Sequence, residues 1–110
     1  MVEKYDKLVR DKIPEIIKSQ GDCPKIEILD DKDYFNALNQ KLTEEVAEYL
    51  EKYSIEELAD ILEVIYAIAG HKGLTLDELE HIRLKKHKER GGFDNKISLA
   101  EVKRKNKHRG

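Results

Sequence analysis

The chain has 110 residues, 39% of them apolar and 40% charged, with two phenylalanines, no tryptophan and a formal net charge of -2. That is one domain near the lower end of the usual size range, whose core is small enough that self-association is expected to enlarge it. One cysteine excludes an internal disulfide framework, and no segment is apolar over membrane-spanning length.

The near-neutral balance hides a separation of charge. Lys41 to Glu63 holds eight acids and two bases, whereas His81 to Gly110 holds eleven Lys or Arg and three acids. The first eighteen residues add Lys4, Lys7, Arg10, Lys12 and Lys18. A cation site bordered by basic, anion-holding arms fits this split, as do solvated faces and intersubunit attraction.

In chain order, residues 5–19 carry Leu8, Val9, Ile13, Ile16 and Ile17, and Pro14 can open a short helix ending near Ser19. The start, MVEKYDKLVRDKIPEII, has no uninterrupted apolar run, so a cytoplasmic protein is expected. Gly21 to Pro24 break the first helix, and Cys23 in that loop has no neighbouring base to make it a nucleophile. KIEIL, residues 25–29, reads as a short extended segment.

A second helix is expected from about Tyr34 to Tyr53, capped by Asp31 or Asp33. Phe35, Leu38, Leu42, Val46, Tyr49 and Tyr53 fall within about 80 degrees on a helical wheel, a coherent apolar stripe. Glu45 lies at the edge of that stripe, Glu48 one turn on, and Glu44 farther toward water. Glu45 is therefore the anomalous acid.

Ser54 and Glu57 have the spacing of a capping box for a third helix that runs through IEELADILEVIYAIAG and stops at Gly70. Val64 and Ala67 follow Asp60 on an otherwise apolar row, so Asp60 is expected to face another element and to need a counter-charge. Thr75 and Glu78 box a fourth helix, which ends before Gly91 and Gly92. ISLAEV, residues 97–102, reads as a further packed segment. A basic tail follows from about residue 103. One domain, 1–110, is expected: an all-α, compact antiparallel helical bundle that completes its core by oligomerisation.

Glu45/Glu48 and Glu57/Asp60 are pairs at three-residue spacing, so each pair shares a helix face, and a short link can bring the two faces together. Converging acids repel unless a positive charge lies between them. Mg2+, or Mn2+ in its place, binds hard oxygen ligands and retains sites for water and substrate phosphates. The bland readings are a capping role for Glu57 and a solvated position for Glu48. Lys86 and Arg90, four apart, can reach phosphates from one face, and Lys7, Arg10 and Lys12 offer a second clamp. The histidines lack the spacing of a zinc site, and there is no phosphate-binding G-x-x-x-x-G-K-[ST] loop. Tyr34, Phe35, Tyr49, Tyr53 and Phe93 are candidates for base stacking or for core packing.

KLTEEVAE at 41–48 followed by EELADILEVI at 56–65 resembles the EExxE and ExxD signature of the MazG-like all-alpha nucleoside triphosphate pyrophosphatases. YDKLVRDKIPEII at 5–17 and KERGGFDNKISL at 88–99 are similar to a small, phosphoribosyl-ATP pyrophosphohydrolase-like branch of that group. The resemblance implies Mg2+-dependent cleavage of a nucleotide between its α and β phosphates. It matches Glu45, Glu48, Glu57 and Asp60 to metal ligands, with Glu44 as the first acid of the motif. Glu45, or else Glu44, is the candidate for orienting the attacking water, and Lys86, Arg90, Lys7 and Arg10 for holding phosphate. A homodimer or homotetramer is implied. The eight residues between Glu48 and Glu57 are few for the group, which implies a narrow base pocket or one completed by another chain. A helical adaptor, or a basic nucleic-acid binder that needs no converging acids, are the alternatives; no membrane or stable nucleic-acid partner is expected.

Overall fold

The computed structural model describes residues 1–105 and contains four helices: α1 (Ile13–Ser19), α2 (Asp31–Lys52), α3 (Ile55–His71) and α4 (Leu76–Arg90). The all-α expectation holds. KIEIL forms no strand and ISLAEV no packed segment. Among the described residues KIEIL has no strand to pair with, and ISLAEV has no element to pack on; Ile28, Ile97 and Leu99 are exposed. The basic tail beyond residue 105, with His108, lies outside the described residues.

Pro14 sits in the first turn of α1, where its missing N–H costs no hydrogen bond. The cap of α2 is Asp30, one residue before Asp31 and three before Asp33, the expected positions; its carboxylate accepts from the Asp33 N–H at 2.8 Å. α2 ends at Tyr53, which adopts the left-handed conformation at φ 55° and donates its N–H to the Tyr49 carbonyl. Tyr53 and Ser54 alone then reverse the chain into α3. The Thr75/Glu78 capping box of α4 forms in both directions, at 3.1 and 2.9 Å.

α2 and α3 pack as an antiparallel hairpin: Glu45 lies by Glu57 and Asp60 near the turn, and Phe35 stacks on His71 at the far end. α4 packs on α3, and among the described residues α1 packs against no other helix. Among the described residues Leu38, Val64 and Ala69 are the buried apolar residues, Leu38 the most completely.

The single chain is not the compact bundle expected from the sequence. Its radius of gyration is 20.3 Å and its extents are 70 × 31 × 29 Å, against about 13 Å for a compact domain of this length. The same openness shows in what stays uncovered. Val46, Leu50 and Tyr53 on α2, and Leu58, Leu62 and Tyr66 on α3, are all more than a third exposed. On helical wheels these rows lie on the side of the hairpin away from Glu44, Glu48 and Asp60.

Candidate metal centre

Glu45, Glu57 and Asp60 meet where α2 and α3 approach the hairpin turn, each offering a carboxylate oxygen within 4.8 Å of the others. Glu45 reaches this place from the edge of the α2 stripe, as its wheel position predicts. Glu57 reaches it because the expected capping role is not taken: Ser54 occupies the cap position of α3, but its side chain caps nothing. The Glu57 side chain turns into the helix interface, where only 10% of it is exposed.

The inner oxygens of Glu45 and Glu57, both Oε2, are buried with no hydrogen-bond partner. A buried polar atom left unpaired is costly and calls for an explanation. Both outer oxygens face cations: Lys41 Nζ lies 3.4 Å from Glu45 Oε1, and Lys52 Nζ 3.7 Å from Glu57 Oε1. Burial pushes the Glu57 carboxyl above its ordinary value; Lys52 opposes this, while the negative charges of Glu48 and Asp60 add to it. Three converging carboxylates of this kind form an all-oxygen set suited to a hard divalent cation.

Asp60 has the counter-charge anticipated for it, but from the protein. Arg10 donates from Nη2 to Asp60 Oδ1 at 2.6 Å, and its Nη1 stands 3.8 Å from Glu63. Lys7 donates to Glu44 Oε1 at 3.0 Å, and Lys41 reaches the same oxygen at 3.3 Å. The bond from Lys7, helped by Lys41, holds the Glu44 carboxyl below its usual value, and Glu44 in turn raises the Lys7 ammonium.

Glu48 stands half-buried outside the three-residue group, yet close enough to influence Glu57. Lys86 and Arg90 are exposed on α4 and make no ion pair among the described residues, whereas Lys7 and Arg10 are brought to the acids. Lys41 was not singled out in the sequence, although its place three and four residues before Glu44 and Glu45 is the spacing of a helical ion pair. Phe93, almost wholly exposed, and Tyr53, exposed at the turn, do not pack in a core. Tyr34 and Phe35 instead contact His71, with Lys72 Nζ 4.9 Å from the Phe35 ring centre. Cys23 is exposed and unpaired. Among the described residues no helix is long and apolar enough to cross a membrane.

An uncharacterised protein of Mycolicibacterium smegmatis is 56% identical to this chain over 41 residues, which are 37% of this chain and 42% of that protein. The match thus spans less than half of either. No family model matches the chain, and no solved structure matches it.

Proposed function

We propose that the chain is a divalent-metal-dependent nucleotide pyrophosphohydrolase of the MazG-like all-alpha type, converting a nucleoside triphosphate or related nucleotide to the monophosphate and pyrophosphate. The observation that carries this reading is the pair of buried, unpartnered oxygens, Glu45 Oε2 and Glu57 Oε2, on two residues that cluster with Asp60. Acids placed for fold stability alone would have their most buried oxygens paired. The motif likeness at 41–48 and 56–65 supplies the reaction class.

Glu45, Glu57 and Asp60 would hold Mg2+ or Mn2+, with Glu48 as a fourth ligand from the shoulder of α2. Such an ion, when bound, draws charge from phosphate oxygens and acidifies a bound water. Glu45 is the better residue to orient the water and accept its proton, because Glu44 is committed to Lys7 and Lys41 and its lowered pKa makes it a poor base. The water oxygen bonds to the α phosphorus as the bond to the α–β bridging oxygen breaks, and that oxygen leaves with pyrophosphate. Lys7 and Arg10, with Lys86 and Arg90 brought in by another chain or by movement of α4, would balance the departing charge.

The chain works as a homo-oligomer, a dimer or tetramer, in this reading. Its accessible surface is 10580 Å², whereas a compact monomer of 12.8 kDa exposes about 6,300 Å². The α2/α3 apolar rows are the natural seam. Oligomerisation would also supply walls to a base pocket that one short hairpin leaves open.

A second reading has its own observation: Lys7, Arg10, Lys41 and Lys52 already neutralise the acids in part, as in an adaptor held by ion pairs. A panel of nucleoside triphosphates with Mg2+ or Mn2+, with pyrophosphate and orthophosphate detected separately, decides between them. Pyrophosphate release that is lost in Asp60→Ala, with helicity retained by circular dichroism, supports the hydrolase. Orthophosphate as first product, or full activity in that variant, defeats it.

A further inference from the structure

We propose that Arg10, on the N-terminal arm, is a displaceable counter-ion of the carboxylate cluster. Arg10 holds Asp60 until a divalent cation takes that carboxylate, while Lys7 stays with Glu44; the freed guanidinium then turns to the phosphates that accompany the cation. The proposal rests on the metal reading above and adds an exchange of partners to it.

Arg10 occupies an oxygen of Asp60 at 2.6 Å, and Asp60 is the least buried member of the cluster, its side chain 38% exposed. A guanidinium so placed and a divalent cation on the same carboxylates repel each other. One must yield, and the arrangement decides which. The arm reaches Asp60, Glu63 and Glu44 but neither Glu45 Oε2 nor Glu57 Oε2. A divalent cation would break one partly exposed ion pair while giving two buried oxygens their first partner. The exchange therefore runs toward the cation.

Arg10 is also placed to leave. Residues 1–12 hold no helix or strand, α1 packs against no other helix among the described residues, and Leu8 is the one half-buried apolar residue in the first twelve. The Arg10 side chain is itself 53% exposed, so releasing it uncovers little apolar surface. A guanidinium freed beside a loaded site faces the phosphates, with which it can form two parallel hydrogen bonds.

The test is calorimetric titration of the full chain with Mn2+ alone, and of the Mn2+-loaded chain with inorganic pyrophosphate. Arg10→Ala and Arg10→Gln are compared with Lys25→Ala, which loses the same charge from an exposed residue without an ion pair among the described residues. Each Arg10 variant is expected to bind Mn2+ about two- to fivefold more tightly and pyrophosphate about tenfold more weakly, with Lys25→Ala near the parent in both. Mn2+ affinity in both Arg10 variants no higher than in Lys25→Ala overturns the competition. Unchanged pyrophosphate affinity overturns the transfer to phosphate. Asp60→Asn separates the two readings: if it leaves Mn2+ binding unaltered, or no form binds Mn2+, the metal centre itself is wrong and the exchange falls with it. If Asp60→Asn abolishes binding and Arg10 is indifferent, only the exchange falls.

Discussion

Replacing Glu45 by Gln should make the metal-free protein more stable and deprive it of stabilisation by metal. Glu45 Oε2 is buried beside Glu57 and Asp60 without a partner, an arrangement that costs about 1–3 kcal/mol. The amide has nearly the same shape and removes one of the converging charges. It loses the ion pair with Lys41 at 3.4 Å, worth about 0.3–0.5 kcal/mol. The net gain is about 1–2 kcal/mol, which for a chain of this length raises the melting temperature by about 4–9 °C. Divalent cation at a hundredfold excess over its Kd should stabilise the parent by about 2.7 kcal/mol, or about 12 °C. Glu45→Gln should retain at most a small part of that shift. Thermal melts with EDTA and with Mn2+, at one protein concentration, give both quantities. A variant that melts lower than the parent in EDTA, with an undiminished metal shift, would refute the reasoning.

The pH dependence follows from two opposed carboxyls. Glu57 has a raised pKa in the fold, so its contribution to metal-free stability is present below the unfolded value of 4.5 and lost as pH rises through the folded value. Glu44 has a lowered one, so its contribution is present above 4.5 and lost as pH falls through the folded value. Metal needs Glu57 ionised, so Mn2+ affinity by titration should climb with pH through the raised Glu57 value; a flat profile there would exclude Glu57 as ligand. Leu58→Glu with Leu62→Glu should shift the mass measured by light scattering toward the monomer, because both side chains lie on the uncovered side of α3; an unchanged mass places the contact elsewhere. Thr75→Ala removes one half of the α4 capping box and should cost about 1 kcal/mol in denaturant unfolding.

The helices were legible because each carries its own punctuation: Pro14 in the first turn of α1, Thr75 and Glu78 at the start of α4, Gly91 at its end. Glu45 was legible from periodicity, since an acid at the edge of an apolar stripe has to meet something. Glu57 was ambiguous for a definite reason. Its position three residues after Ser54 satisfies the capping-box spacing, and only the tertiary fold, which presents α2 to that side of α3, turns the side chain inward. The long-range ion pairs of the arm were out of reach. Arg10 and Asp60 are 50 residues apart, and no local pattern specifies that α1 stands off while the arm before it crosses to the acids. The uncovered face escaped for a related reason: the wheel puts Val46 and Tyr53 in the apolar stripe of α2, but does not show that this chain alone has nothing to lay over them.

What separates a metal centre from a network of ion pairs is which oxygens the cations have reached. Desolvation is most expensive at the most buried atoms, so a self-sufficient network pairs those first. This protein does the reverse. Lys41 and Lys52 face the outer oxygens of Glu45 and Glu57, and Lys7 and Arg10 hold Glu44 and Asp60 from the solvent side. The two most buried oxygens stay unpaired, one on each helix, in residues that belong to one cluster. A lysine from α2 or α3 cannot easily serve them, since its long stem would have to fold back into the same interface that buries the carboxylates. A small, multiply coordinating cation has no stem to accommodate and can accept both at once. The short link at Tyr53 and Ser54 lets Glu45 and Glu57 join one cluster across the hairpin, and both residues that carry an unpaired buried oxygen belong to it.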